Sequence, residues 1–310
     1  MDTYNVKYAG ICGSDINKIK SKDFDIKKIP YLGHEIVCSD NEGILYVVNP
    51  FVCKSGCSTC DNTSFLYCEN VSRLGDGCIK SGFSGEISVP PENLYRVPVC
   101  DHPQIGVLCD GVAVIIHGLH LININQFSNV AIVGSGSIAI LAALIIKDYN
   151  PNCEVEVFVR RIDKQEYLIS YYSDYLKISD AGTLKNKDEK YDLVIEAVGG
   201  LQTESISTAI DIVKKSGTIL VFGAFSAECS SLSGIRKLFY KQIHLIGSNS
   251  FCKMYNDFGV AVEWTFSHES LLYPLITNQM YASKADLDIM QLYEQIVKKK
   301  IIKDCFIYEL

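Results

Sequence analysis

The sequence predicts an α/β protein built on a doubly wound parallel sheet. Three observations carry that prediction. An apolar burst, Val130 to Val133, breaks at Gly134-Ser135-Gly136 and passes into an apolar, helix-permissive run that reaches Ala142. That is the pattern of a buried parallel strand, a turn too tight for side chains, and a helix starting over the turn. Strands and helices then alternate five times between residues 130 and 248, and most of the strands end in glycine, as in a sheet with a ligand crevice at its strand ends. Finally, 310 residues suffice for two domains with a core each. No repeat or low-complexity linker separates them, so the cuts are expected within packed structure. They assign 112–251 to the parallel sheet and 1–111 with 252–310 to a second domain.

Composition narrows the classes. A hydrophobic share of 48% with 21% charged residues describes an ordinary globular chain rather than a disordered one. A net charge of −7 argues against sequence-independent binding of nucleic acid, which rests on neutralised phosphates. By its charge pattern no apolar run is expected to reach the ~18 residues a membrane span needs, so no membrane partner is expected. The first residues, Met1-Asp-Thr-Tyr-Asn-Val, lack a charged-then-apolar export signal. Thirteen cysteines, an odd number without such a signal, point to reduced thiols in a cytoplasm, where clustered cysteines are metal ligands before they are disulfides.

Taken in order, Asn5 to Gly10 reads as a short strand and Gly10-Ile11-Cys12-Gly13-Ser14-Asp15 as the turn out of it. A polar, lysine-rich stretch leads to Tyr31-Leu32-Gly33-His34-Glu35. Cys12, His34 and Glu35 are all competent zinc donors, yet spacing alone favours a buried cysteine and a surface histidine. Residues 53 to 68 are more specific: Cys53, Cys57, Cys60 and Cys68 are joined by spacers short and small enough to let four thiolates converge tetrahedrally at Zn–S distances of about 2.3 Å. Four protein ligands leave no open position, so this zinc would be structural. Glu86 to Val89 reads as an edge strand ending at Pro90-Pro91. From Gln104 to Leu121 apolar residues dominate at helical length, with Asp110 and His117 among them. A carboxylate in such a segment either faces solvent or needs a partner charge, hydrogen bonds or a metal.

In the central region, Gly134 and Gly136 would let the backbone approach a pyrophosphate, and the helix begun by Ser137 and Ile138 would attract it through free N–H groups and its dipole. Ala139 in place of a third glycine still permits close helix–strand packing. The next strand, Glu154 to Val159, ends about 20 residues past the turn, where an acidic side chain would hold the ribose 2′-hydroxyl of NAD. Arg160-Arg161 stand there instead. Guanidinium groups suit a 2′-phosphate, so NADP(H) is expected in preference to NAD(H). Tyr191 to Ala197 is a third buried strand closing on Val198-Gly199-Gly200, with Thr203 the expected N-cap of the helix that follows. Thr218 to Phe222 ends at Gly223. Beyond 252 come a helical pattern over 254–266, an amphipathic helix over 285–299 and a closing strand, Asp304 to Tyr308.

With the cysteine loop, the glycine turn and the 10–15 and 33–35 segments in that order, the chain resembles the zinc-dependent medium-chain dehydrogenase/reductase family over essentially its whole length. The resemblance implies a Rossmann domain flanked by a GroES-like, mostly-β catalytic domain formed by both chain ends. It implies catalytic zinc at Cys12 and His34, with Glu35 able to exchange on and off the metal and Ser14 handing its proton to the substrate oxygen. It places structural zinc at Cys53, Cys57, Cys60 and Cys68, and lays the nicotinamide across Val198 and Gly223. Asp110 stands where the polyol-dehydrogenase branch carries a glutamate that binds the metal directly or through water. Register with other branches selects Cys109, but Val114 and His117 keep their spacing only in the Asp110 register.

From Asp110 to Ser248 the chain looks similar to the ribulose-5-phosphate reductases of teichoic-acid and capsule pathways, in Val157-Phe-Val-Arg160, Glu196-Ala-Val-Gly-Gly200 and Leu245-Ile-Gly-Ser248. Four departures accompany the likeness. The sequence starts at the strand just before Cys12, so the family's first strands are expected to be missing, Cys53 and Cys57 are separated by three residues instead of two, Asn17 replaces a relay histidine, and Asp110 is one methylene shorter than the family's glutamate.

The expectation is therefore a zinc-dependent NADP(H) oxidoreductase that interconverts a ketose or ketose phosphate and a polyol, with ribulose 5-phosphate to ribitol 5-phosphate the best guess. Lys18, Lys20 and Arg73 are candidate cations for a substrate phosphate. Alternatives are a sorbitol-type polyol dehydrogenase using NAD and a degenerate nucleotide-binding subunit. The resemblance suggests a homodimer or homotetramer.

Overall fold

The computed structural model describes residues 2–53, 57–62, 65–160, 162–186, 189–226, 229, 234–283, 289–297 and 302–309. The chain folds as two compact units, Met1–Ala113 with Phe251–Leu310, and Val114–Ser250. The first unit begins with β1 (Asp2–Gly10), β2 (Glu35–Ser39), β3 (Leu45–Val48), β4 (Phe51–Val52), β5 (Ser72–Arg73), β6 (Glu86–Val89) and β7 (Leu94–Arg96). The second holds β8 (Asn129–Val133), β9 (Glu154–Val159), β10 (Lys177–Asp180), β11 (Tyr191–Glu196), β12 (Val213–Val221) and β13 (His244–Gly247). The chain then returns to the first unit for β14 (Ile276–Ser283) and β15 (Lys303–Glu309).

In the first unit the main sheet runs β14-β15-β1-β2-β3-β7, with β6 also paired to β1. β1 organises it. Its first half, Asp2–Asn5, lies antiparallel to β6, and after an irregularity between Val6 and Tyr8 its second half, Tyr8–Gly10, lies antiparallel to β15. A bulge re-aims a strand and lets it change partners. Here it sets Gly10 opposite both Glu35 of β2 and Cys305 of β15, at the mouth of the site described below. Val6, Ala9, Ile11, Ile36, Cys38, Phe83 and Phe306 form the centre of this unit's core, and such fully buried apolar side chains contribute roughly 1.5–3 kcal/mol each.

The second unit is a six-stranded sheet in the order β10-β9-β8-β11-β12-β13, every pairing parallel. β8 is buried from Val130 to Val133 because helices cover both faces of such a sheet. The helix Ser137–Tyr149 buries Ala139 to Ile146 against it. β12 starts at Val213, five residues ahead of the expected strand: Val213 pairs with Tyr191, and Thr218 resumes with Leu193 past a register shift. The polar run Lys214-Lys215-Ser216 masks that beginning in sequence.

Other expectations change in detail. Thr203 occupies the N-cap of the helix Glu204–Ile212, but its side chain caps nothing; the Gln202 side-chain oxygen accepts from the Ser205 amide at 2.9 Å instead. The apolar stretch from Pro103 divides into a 3-10 turn to Leu108 and the helix Cys109–His120. Over 18 residues, Pro103–His120 has mean hydropathy 1.2, long and apolar enough to cross a membrane, contrary to the sequence reading; 83% of it is buried in the fold. The helix Ile289–Val297 lies within the amphipathic stretch, whose residues 285–288, 298 and 299 are outside the described residues. The expected closing strand is β15, one residue longer at each end, and it sits between β1 and β14.

Candidate active site

The first unit brings together groups far apart in sequence. Cys12 is the N-cap of the helix Gly13–Ile19, at the end of β1, while Glu35 opens β2 with His34 directly before it. The ligand atoms of Cys12, His34 and Glu35 all lie within 4.8 Å of one another. Asp15, fully buried in the first turn of that helix, ties the two segments: its carboxylate accepts from the Cys12 amide at 3.1 Å and from the Gly33 amide at 3.2 Å. The imidazole of His34 lies between two carboxylates. Nδ1 is 3.7 Å from Asp15, and Nε2 is 3.7 Å from Asp110.

Lys303 of β15 completes the cluster. Its Nζ donates to both Glu35 oxygens at 2.7 Å, and both side chains are almost completely buried. A Cβ on Gly10 would collide with Glu35 Oε2, so only glycine opposite Glu35 leaves its carboxylate room. Burial and the Glu35 carboxylate push the Cys12 thiol up, but His34 and Lys303 outweigh them and its pKa falls. Burial opposes charge on His34, yet Cys12 and Asp15 hold its pKa well above the ordinary value. Burial likewise opposes the Lys303 ammonium, and Glu35 with Cys12 raises it.

This donor set fits zinc. It offers a thiolate, an imidazole and a carboxylate at convergent positions, and Asp15 faces the second ring nitrogen of His34 as the orienting partner a ligating histidine requires. Two buried oxygens, Ser14 Oγ and Asp110 Oδ1, have no hydrogen-bond partner among the described residues. Leaving such groups bare costs about 1–3 kcal/mol each, a cost a metal and an oxygen-bearing ligand would remove. Cys109 is fully buried, and burial pushes its thiol up to about 12. It is Asp110 that reaches His34.

A second cluster is local in sequence. Cys53, Cys57, Cys60 and Cys68 place their sulfurs within 4.8 Å of one another, with Cys53 and Cys57 each 3.6 Å from Cys68. Tetrahedral Zn–S bonds of about 2.3 Å require sulfurs roughly 3.8 Å apart, so this set also fits zinc. The Cys60 amide, then Cys68 and Cys53, pull the Cys57 thiol down to about 7. The three-residue spacer between Cys53 and Cys57 therefore does not prevent convergence; residues 54–56 lie outside the described residues.

In the second unit, a cavity of about 410 Å³ opens at the strand ends, lined by Gly134, Ser135, Gly136, Arg160, Val198 and Glu204 among others. Gly134 has φ +149°, and a Cβ there would lie 2.8 Å from the Ala197 carbonyl oxygen. A Cβ on Gly136 would meet nothing within 4 Å, so the space over the start of the helix Ser137–Tyr149 is open to a ligand. Ser137 and Ile138 begin that helix, where amides are free to bind phosphate. Glu196 at the end of β11 is fully buried and anchors two lining residues, Val198 and Ser205: its Oε1 accepts from the amides of Val198 and Gly199, both at 3.0 Å, and from Ser205 Oγ at 2.6 Å. Its Oε2 abuts Gly223.

Comparison with known proteins agrees with this architecture. No family model matches the chain. It is similar to L-idonate 5-dehydrogenase of Vitis vinifera, 21% identical over 310 residues that cover 91% of this chain and 81% of the relative. A zinc-binding dehydrogenase of Sinorhizobium meliloti 1021, solved bound to NADP, shares the fold with TM-score 0.79 at 18% identity, covering 98% of this chain and 91% of the other. Galactitol-1-phosphate dehydrogenase of Escherichia coli gives TM-score 0.77 at 18% identity, over 98% of this chain and 92% of the other. The chain is thus similar over most of its length to polyol and sugar-acid dehydrogenases, and it shares the fold of zinc-type dehydrogenases.

Several site residues could not be predicted from the sequence. Lys303 carries no local motif and reaches Glu35 only because β15 pairs beside β1. Asp15 was legible in principle, since an acidic N3 residue after a helix start signals a capping interaction. Asn17 is exposed on its helix. Arg160 lines the nucleotide cavity, whereas Arg161 lies outside the described residues. Of the candidate phosphate cations, Lys18 donates to the Gly75 carbonyl at 2.7 Å and pairs with Asp76 at 3.3 Å. Arg73 lies over the Phe51 ring, and Lys20 is exposed.

Proposed function

We propose that the chain is a zinc-dependent NADP(H) oxidoreductase that interconverts a ketose or ketose phosphate and the corresponding polyol, with ribulose 5-phosphate and ribitol 5-phosphate the first pair to test. The observation that carries the reading is the convergence of Cys12, His34 and Glu35, with Asp110 3.7 Å from His34 Nε2 and the Ser14 hydroxyl buried without a partner among the described residues. The names of the relatives support a sugar or polyol substrate, and the galactitol-1-phosphate enzyme among the structural neighbours supports a phosphorylated one.

In this reading Cys12, His34 and Asp110 hold zinc, and Glu35 is a reserve carboxylate beside it. Bound there, zinc would supply a Lewis acid for the carbonyl oxygen, and a nicotinamide would supply hydride. Ser14 lies within the same helix turn as Cys12 and donates the Oγ proton to the substrate oxygen as charge develops on it. Asp15 keeps His34 in the tautomer that presents Nε2 to the metal. Asn17 leaves the proton no imidazole relay, so water re-protonates Ser14.

On the nucleotide side, Gly134, Ser135, Gly136, Ser137 and Ile138 cradle the pyrophosphate. Val198 and Gly223 form the seat of the nicotinamide, and Arg160 meets the 2′-phosphate. The Cys53, Cys57, Cys60 and Cys68 set holds a structural zinc.

The test is cofactor oxidation with NADPH and NADH in parallel against D-ribulose 5-phosphate, D-ribulose and fructose, on protein of measured zinc content. NADPH consumption confined to the phosphorylated pentulose is the expected result. Activity on free sugars with NADH would move the protein to a sorbitol-type polyol dehydrogenase and remove the role given to Arg160. Two zincs per chain with no turnover on any of them would reject the substrate class.

A further inference from the structure

The placement of Lys303 divides the two carboxylates at the metal site into different roles. Glu35 and Asp110 are both near His34, and either alone could serve as a ligand. Glu35, however, has both oxygens taken by Lys303 Nζ at 2.7 Å. Asp110 has one oxygen 3.7 Å from His34 Nε2 and its other oxygen buried without a partner. We infer that Lys303 is a positioning residue that holds Glu35 off the zinc, so that Asp110 is the resting carboxylate ligand and one metal position stays open to substrate. The inference deepens the proposed function and rests on a metal bound at Cys12 and His34.

Charge and geometry carry it. The Cys12 thiolate and the Asp110 carboxylate together neutralise a divalent metal, and Glu35 and Lys303 neutralise each other. All four side chains are at least half-buried, where an unpaired charge is strongly disfavoured. Removing the ammonium leaves Glu35 as an uncompensated carboxylate beside the bound metal. One of its oxygens already lies within 4.8 Å of the Cys12 and His34 donor atoms, so a small shift completes a bond. Glycine at position 10 leaves the carboxylate room for that shift. Zinc with four protein ligands is a closed, structural type of site, whereas three ligands and an open position make a catalytic one. Lys303 thus keeps this site of the second kind.

The experiment compares the full chain with Lys303→Met, Lys303→Arg and the double variant Glu35→Gln/Lys303→Met, each loaded with cobalt or zinc. In Lys303→Met we expect the visible cobalt spectrum to change as a carboxylate enters the coordination sphere. Release of the catalytic metal to a chelator should slow by about tenfold and turnover should fall by about a hundredfold, the range for altered partners of metal ligands. Lys303→Arg keeps the grip on Glu35 and should retain the parent spectrum. The double variant has no spare carboxylate and should regain both the parent spectrum and its release rate, which a merely structural role would not predict.

If Lys303→Met does not fold, the double variant and Lys303→Arg still decide, because their spectra must match the parent. A parent-like spectrum and release rate in Lys303→Met, or no recovery in the double variant, overturns the inference. A parent protein whose metal content is unchanged by Cys12→Ser would instead overturn the catalytic zinc itself, and this inference with it.

Discussion

Two clusters of metal donors sit in the same folded unit and are built by opposite strategies. The cysteine lobe draws four identical ligands from a 16-residue stretch, Cys53 to Cys68, so its convergence is a local property of a short loop. The Cys12 site draws one residue or two from each of four places: the end of β1, the start of β2, the helix Cys109–His120 and β15. Its members differ in softness, charge and hydrogen-bond partners, and two of its oxygens await a ligand. A closed set of like ligands stabilises a fold. An unlike set with spare donors and a buried counter-ion leaves chemistry undone until substrate arrives.

The sharpest way to break this contrast is to remove one sulfur from each cluster. Cys12→Ser should abolish turnover, by about a thousandfold or more given that the metal's Lewis acidity is lost. Nucleotide binding, followed by NADPH fluorescence, should be retained, and metal content should fall by one per chain. Near-parental turnover in that variant would eliminate the zinc mechanism. Cys60→Ser should do the reverse. It weakens a structural zinc whose binding energy is folding energy, so the thermal midpoint should fall, while the protein that remains folded keeps its turnover per catalytic zinc. Equal effects of the two variants on stability would mean that the distinction drawn between the clusters is wrong.

The same contrast explains what could be read in the sequence. The cysteine lobe was legible because all its information lies in one segment. The β8 turn was legible for the same reason, since Gly134, Gly136 and Ala139 are neighbours in the chain. The Cys12 site was legible only in fragments. Spacing alone gave Cys12 and His34 no advantage over a buried thiol and a surface imidazole, and family resemblance supplied the pairing. Lys303 was invisible because its approach to Glu35 depends on β15 pairing beside β1, a contact 268 residues apart in sequence. The start of β12 was missed for a different reason: Lys214-Lys215-Ser216 breaks the apolar pattern at the exposed entry of a strand whose interior is buried.

A smaller effect separates Asp110 from its neighbour. Asp110→Asn should weaken retention of the catalytic metal by about 10- to 100-fold in chelator competition, with little change in melting. Cys109→Ala should leave metal content alone and cost about 1 kcal/mol through lost packing at a fully buried position. If Cys109→Ala releases metal and Asp110→Asn does not, the alternative register is the right one.

The smallest effect lies away from both clusters and serves as their control. Asp192 is the second residue of the central strand β11, where its carboxylate accepts from the amides of Ser128 and Asn129 at 3.3 and 3.0 Å and from Lys214 Nζ at 2.6 Å. Burial alone would raise its pKa, but Lys214 and those amides outweigh it and hold the carboxyl below the ordinary value of 3.8. A folded-state pKa below the unfolded one means that the charged form stabilises the fold. The contribution is complete above about pH 4 and is lost as the pH falls through the folded value. Since the pair is partly exposed, Asp192→Asn should cost only about 1 kcal/mol at pH 7. The deficit should shrink towards zero as melts are taken into the acid range, with metal content and nucleotide binding untouched. A deficit that persists unchanged in acid would show that the amide, rather than the lost charge, disturbs the strand.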